Sequence, residues 1–519
     1  MKRITDLRFS RRDFVKSAVA TASLIPMVGS PVLASTPKKG GHFRLGLKHG
    51  NTTDNYDPAQ WNNGYSQCFA FAREAMLTEI APDNSLAPSL AESWEPSSDA
   101  KMWSFNLVKG ATFSDGRDVT AEDVIASFNH HRGEESKSAA KPIVSPIKEM
   151  KADGKNRIIF TLESGNADFP FVLSDYHLVI RPAKDGKIDP EANIGAGGYV
   201  VKAYEPGVRA EIERRNDYWK SDRAFFDSAE ILTILDPTAR MNALLSNSVE
   251  AIDSVDLATV ELLKRNPGIE VLSVTGTQHF TFAMDTRAEP FKDNNVRLAL
   301  KYGIKRQELI DKILYGYGSV GNDHPIGQSN RYYASELEQR EYDADKAKYH
   351  LKQAGLESIE VSLSAADAAF QGAVDAAQLF EASAAAAGIK INIVREANDG
   401  YWSNVWMKKP FSAVYWGGRP TEDWMFSTAY SSGAAWNDTF WENARFNELL
   451  GQARSELDEA KRRQMYVELQ SIVRDDGGAI IPMFASYVGA HTKKIAHGEK
   501  IAANWAMDGW RCIERWWYA

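Results

Sequence analysis

The chain predicts an α/β fold with mixed sheets, on three observations. Segments of two-residue hydrophobic alternation and segments of helical period take turns along most of the 519 residues. Short strands bounded by turn residues, the mark of hairpins, gather in the first half. No repeat, low-complexity run or exposed linker separates these segments, so any domains must be joined by strands or short loops, as in lobes that hinge.

Taken in order, His42-Phe43-Arg44-Leu45-Gly46-Leu47 alternates and predicts a first strand. Residues 51–58 are turn formers and predict a loop. A helix is expected over 66–77 and a strand over 103–107. The turn at 114–117 places Gly116 where positive φ is cheap. Thr120 is a good N-cap, with Glu122 and Asp123 in the first turn of a helix that runs to about 129. A strand over 157–162 follows, then a hairpin of 199–203 and 210–214 around Glu205-Pro206-Gly207. Next come a strand at 230–235, a helix at 237–246 and a strand at 280–284. Helices are predicted over 294–304, 306–314 and 343–354, and a strand over 359–363. An Ala-rich helix over 367–387 ends at Gly388, a C-cap signal. Strands follow at 389–394 and at 411–416, the latter ending in Gly417-Gly418. Helices over 443–453 and 458–475 precede a buried strand, 479–484, that leads out.

The N-terminus carries an address. Arg11-Arg12 precedes a mildly apolar stretch, 17–33, and Val32-Leu33-Ala34 is a small-residue cleavage pattern. Paired arginines in that setting predict twin-arginine export, cleavage near Ala34 and folding before the membrane is crossed. The stretch is too short and too rich in Ser, Thr, Gly and Pro for a stable span, and no later segment is long and apolar enough to cross a bilayer. The formal net charge is −8. Residues 1–34 hold six basic and two acidic side chains, so the chain after cleavage carries −12. An acidic body argues against nucleic acid and against an anionic membrane surface as partners. Charged residues at 25% and hydrophobic residues at 44% are ordinary for a globular protein. The two cysteines, Cys68 and Cys512, form neither a CxxC pair nor a zinc pattern, and the sequence leaves a bridge and buried free thiols both open. No GxSxG elbow, Walker loop or HExxH motif is present, and adjacent His130-His131 do not share a helix face. No catalytic residue, metal ligand or cofactor is expected.

Several segments carry a resemblance. These are Leu86-Ala87-Pro88-Ser89-Leu90-Ala91-Glu92-Ser93-Trp94, Phe113-Ser114-Asp115-Gly116, Gly195-Ala196-Gly197-Gly198-Tyr199, Asn216-Asp217-Tyr218-Trp219, and Pro290-Phe291 through Arg297-Leu298-Ala299-Leu300. They follow the order seen in the periplasmic dipeptide- and oligopeptide-binding proteins of ABC importers, solute-binding protein family 5, and the chain resembles that family from about residue 42 to its end. The resemblance implies a two-lobed clamp of the class II type with an extra N-terminal subdomain. Its expected parts are a first-lobe core of 38–80, 196–281 and 485–519, an extra subdomain of 81–195, and a second lobe of 282–484. It also implies a monomer in the periplasm, a small-molecule solute as ligand, and a membrane ABC permease docking at the lobe tips.

The family's peptide pocket has an acidic residue after a Trp-Gly strand end, which pairs with the ligand's amino terminus. The matching place here, Trp416 to Trp424, departs from that pattern: Arg419 comes first and the acids are delayed to Glu422 and Asp423. Arginine's planar fork suits a carboxylate and a nearby carboxylate suits an amine, so the loop suits a zwitterion such as a peptide, an amino acid or a derivative. The competing reading is an internal salt bridge from Arg419 to Asp423 or Glu422 that only shapes the loop. Trp416 and Trp424 flank it and could stack on a ligand. Tyr401 and Trp402, Gln278 and His279, Asn55, Tyr56 and Asp57, and Trp436 and Asn437 are further candidates, each with a structural loop role as the alternative. The density of tryptophan between Trp402 and Trp441 suits a pocket with flat apolar walls. Sugar-like, opine-like, nickel or haem-type ligands, and a secreted hydrolase, stand as alternative functions.

Overall fold

The computed structural model describes residues 36–519; the expected export signal and its cleavage site lie outside them. One eleven-stranded sheet runs through the molecule. In its first half His42–Leu47 lies between two parallel neighbours, Ser228–Thr233 and Ala251–Ile252, and the predicted hairpin, Tyr199–Glu205 with Arg209–Arg214, extends the edge. The second half holds Phe411–Trp416, Ile359–Ala365 and Ile389–Arg395. Two long antiparallel strands join the halves, Ile269–Met284 of 16 residues and Ala479–Thr492 of 14.

These connecting strands belong to both halves. Residues 269–275 pair with 486–492 on one side, and 279–283 pair with 479–484 on the other. The register breaks between Thr275 and His279. At Gly276, inside the break, a Cβ would stand 2.4 Å from the Tyr487 ring, so a side chain would collide with the partner strand. Sequence patterning finds only the ends of these strands, 280–284 and 479–484. The remainder alternates weakly and is interrupted by Gly276, which dilutes the signal.

Both faces of each half are covered. Phe43, Leu45, Phe69, Phe226 and Trp516 pack on one face of the first half, and Leu244, Ile252, Leu263 and Val488 on the other. In the second half, Phe282, Leu300, Phe380 and Ile391 fill one face and Val414, Phe426, Tyr466 and Val473 the other. Double coverage accounts for the apolar run 479–484 in the central strand Ala479–Thr492. A separate four-stranded antiparallel sheet, with Ala91–Pro96 and Met102–Leu107 among its strands, has its own core around Phe105, Phe128 and Phe160. Together these give the predicted α/β class with mixed sheets, arranged as two lobes and an added subdomain.

Local signals account for most helix ends. Thr120 caps Ala121–His130, its hydroxyl accepting from the Asp123 N–H while the Asp123 carboxylate accepts from the Thr120 N–H. Gly388, at φ +78°, closes the Ala-rich segment as expected. That helix starts at Ala373, later than the predicted 367, because Gly372 at φ +81° turns the chain just before it. The first helix is Gly64–Arg73, shorter than the predicted 66–77; Glu74 is already extended. Cys68 and Cys512 are buried free thiols.

Candidate functional site

The strand Phe411–Trp416 lies beside the connecting strand, with Trp416 opposite His279. It leaves the sheet through Gly417-Gly418 under the register break. A Cβ on Gly418 would stand 1.4 Å from Thr277 Oγ1, so only glycine lets the chain pass so close. Three residues on, Thr421 accepts a hydrogen bond from the Trp424 N–H and starts the helix Glu422–Ala429. Arg419 is thereby held between a pinned strand end and a capped helix.

Arg419 donates from Nη1 to the Gly417 carbonyl at 3.0 Å. Burial pushes its pKa down, and the phenols of Tyr176 and Tyr415 only partly counter that. Among the described residues no carboxylate pairs with it. The internal salt bridge of the competing reading is not formed, because both acids are engaged elsewhere. Asp423 pairs with Arg454 at 3.1 Å. Glu422 is buried, and its Oε1 accepts from the Tyr332 N–H at 2.7 Å. Burial raises the Glu422 carboxyl to about 7, and the charge of Asp168 adds to the rise.

Arg419 and Glu422 line a narrow, partly open cavity, together with Asn330 of the second lobe, Thr277 of the connecting strand, and Asp168 and Phe171 beside the added subdomain. Its volume is about 30 Å³, one water's share. A solute therefore enters only if the lobes part. Asp168 crosses the gap to pair with Arg462 at 2.6 Å, both side chains nearly inaccessible.

Next to this cavity is an aromatic wall. The rings of Trp402 and Trp406, Trp406 and Trp416, and Trp416 and Trp436 lie 5.9, 6.4 and 6.2 Å apart, and Tyr415 meets Trp402 at 5.4 Å. Asp438 underlies it, accepting the indole N–H of Trp406 at 3.1 Å and of Trp416 at 3.2 Å. Burial raises the Asp438 carboxyl to about 6. Trp416 is buried foundation, whereas Trp402, Tyr415 and Trp436 are 40%, 42% and 49% exposed. The flat surface on offer is therefore theirs. The phenol of Tyr415 acts electrostatically on Arg419, so wall and cation adjoin.

The other candidates are placed as follows. His279 is fully buried; its Nδ1–H donates to the Thr277 carbonyl at 3.0 Å and its Nε2 has no partner. Burial pushes its pKa down to about 4, with the Arg419 charge contributing. Gln278 sits half-buried in the register break. Trp424 is half-buried in the first turn of its helix. Tyr401 is in the second-lobe core, its hydroxyl donating to the Ala413 carbonyl at 2.8 Å. Asn437 is buried and donates to the Trp441 carbonyl. Asn55 donates to Gln60, Asp57 binds His130 at 2.7 Å, and Tyr56 packs on Tyr204 with the Arg73 guanidinium over its ring, so all three serve the first-lobe loop. The structure thus puts Arg419 and Glu422 on one cavity, Trp402, Trp416 and Trp436 in a chain of aromatic contacts, and Gln278 and His279 at the register break, and it commits Asp423, Tyr401 and Asn437 to internal bonds. Sequence reasoning missed Asp168, Tyr176, Thr277, Tyr415 and Asp438. Tyr415 alone had a signal, as an aromatic with a polar tip at a strand end before two glycines.

The family model for bacterial extracellular solute-binding proteins, family 5, matches residues 85–438. Di/tripeptide-binding protein 1 of Pseudomonas aeruginosa is 24% identical, over 94% of this chain and 97% of its own length. The periplasmic binding protein DppA of Helicobacter pylori, solved in complex with the peptide STSA, superposes with a TM-score of 0.71 at 23% identity, covering 93% of this chain and 99% of its own. The binding protein AgaA of A. tumefaciens R10, solved with agropinic acid, gives a TM-score of 0.72 at 23% identity, over 92% and 99% of the two chains.

Proposed function

Because this chain belongs to the bacterial extracellular solute-binding proteins of family 5, we propose that it is the receptor of an ABC importer for a small zwitterionic solute: a peptide, an amino acid or a derivative. The observation that carries this reading is Arg419, a half-buried guanidinium with no carboxylate partner among the described residues, lining a cavity between the lobes. A ligand carboxylate supplies the missing partner through a charge-assisted bidentate contact. Glu422, poised near neutrality, takes the ligand's ammonium, and the exposed faces of Trp402, Tyr415 and Trp436 receive its apolar part. The connecting strands act as hinge. The solute is held because it binds the closed state better than the open one. In this reading the lobes take the residue ranges expected from the sequence, and the lobe tips meet the permease. The protein works as a monomer in the periplasm after twin-arginine export and cleavage near Ala34. No covalent step belongs to this function, and turnover of a bound solute by purified protein would overturn it.

A thermal-shift screen across amino acids, di- and tripeptides, neutral sugars, opines and metal ions tests it. A true ligand raises the melting temperature by mass action. A zwitterion should do so in the wild type and not in Arg419→Ala. The aromatic wall favours a second reading, a sugar-like or opine-like solute gripped mainly by stacking. It prevails if neutral sugars stabilise the protein and Arg419→Ala leaves that effect intact.

A further inference from the structure

A second group of ligand-type side chains lies away from the cleft. Glu270 is nine residues before His279 on Ile269–Met284, roughly 30 Å at the rise of a strand. His491 faces it across the ladder, and His497 follows the short strand Ile495–Ala496, which pairs with Trp517–Tyr518 near the chain's end. One donor atom from each of the three lies within 4.8 Å of the others. The imidazoles of His491 and His497 meet edge to face at 5.4 Å, and Trp516 packs on both, at 5.5 and 5.4 Å.

The ring orientations are the informative part. His491 Nδ1 faces the Thr492 carbonyl at 3.0 Å, and His497 Nδ1 faces the Gly498 carbonyl at 2.7 Å. A carbonyl only accepts, so each Nδ1 carries the proton and each neutral ring keeps its lone pair on Nε2. Metal-ligating histidines are held in this way, with the second nitrogen fixed by a backbone carbonyl. His491 is 1% exposed, and its Nε2 is buried with no hydrogen-bond partner. A lone pair left unmade in the interior costs free energy. Nothing in the solute cleft requires it.

We propose that Glu270, His491 and His497 form a binding site for a divalent transition-metal ion of the zinc type, fastening the C-terminal segment to the outer ends of the connecting strands. Two imidazoles and a carboxylate suit zinc with a fourth position left for water, whereas calcium and magnesium take oxygen ligands. Ligand atoms about 2.1 Å from one zinc ion stand about 3.4 Å apart, so half-exposed His497 and exposed Glu270 close in by about 1 Å on binding. Zinc chloride, titrated into the chelator-stripped protein by calorimetry, should bind one ion per chain and raise the melting temperature. His497→Ala and Glu270→Gln, both at accessible positions, should each weaken binding at least tenfold while keeping the wild-type far-ultraviolet dichroism and solute affinity. Cobalt in place of zinc should give visible d–d bands that His497→Ala abolishes. No zinc bound at molar excess, or equal zinc affinity in wild type, His497→Ala and Glu270→Gln, overturns the proposal.

Discussion

Arg419 sits where its own charge is disfavoured, and this makes its role separable from a structural one. A half-buried cation without a carboxylate partner adds little to the stability of the solute-free protein, so its removal costs little. In the complex it makes charge-assisted hydrogen bonds of about 1.5–3 kcal/mol, or roughly a 10- to 100-fold change in affinity. Arg419→Gln should therefore leave the solute-free melting temperature nearly unchanged while weakening the zwitterion by that factor in calorimetry. A variant that melts several degrees lower with full affinity would make Arg419 a structural residue. Glu422 adds a pH signature. Its carboxyl stands at about 7 in the folded chain against an ordinary 4.5, so between those values the folded state holds the extra proton. The stability this group contributes is complete below its unfolded pKa and is lost as pH rises through 7, roughly 3 kcal/mol in all. Glu422→Gln lacks this loss, so its melting temperature should gain on the wild type from pH 5 to pH 8. A constant difference across that range would show that the carboxyl is not raised. At this scale the sequence singled out Arg419 and Glu422 but could not assign partners. Asp423 looked equivalent to Glu422, and only folding brings Arg454 to it.

Elements were legible where the signal is local. Thr120 with two acids behind it announces a helix. Thr421 with Glu422 and Asp423 carries the same signature and is the cap of Glu422–Ala429. The sequence reading spent those two acids on ligand contacts and left the segment a loop. The connecting strands were legible only at one end each, because their register break is set by a glycine packed against a distant tyrosine ring. The close passage of Gly418 under Thr277 gives an element-scale test. Gly418→Ala forces strand end and connecting strand apart, an overpacking cost of about 1–3 kcal/mol, and displaces Arg419 with them. Both melting temperature and solute affinity should fall. Gly451 is the contrasting position, exposed within the helix Ala444–Ser455 with nothing near its missing Cβ. Gly451→Ala should raise stability by about 0.5–1 kcal/mol and leave affinity alone. Equal effects of the two substitutions would remove the argument from close approach.

At the scale of the whole molecule, two kinds of junction join the lobes among the described residues. The connecting strands are continuous backbone and stay joined in any state. The second junction is made of non-covalent contacts: Asp168 with Arg462 at 2.6 Å, the backbone Ala167 N–H donating to the Arg454 carbonyl at 2.8 Å, and the Arg331 guanidinium over the Phe171 ring at 5.8 Å. Asp168 and Arg462 are 294 residues apart in the chain, and no pattern in the sequence links them. When the lobes part, both charges return to water; when they close, both are buried and depend on each other. Removing the carboxylate therefore penalises the closed state alone, by as much as the 3–5 kcal/mol of a broken buried pair. Apparent affinity falls with the fraction of closed protein. Asp168→Asn should show a larger radius of gyration than wild type by small-angle scattering without solute, and at least tenfold weaker binding. Asp168→Asn combined with Arg462→Met removes both charges and should recover part of each loss. If Asp168→Asn scatters and binds like the wild type, the pair does not hold the lobes together, and closure rests on solute contacts alone.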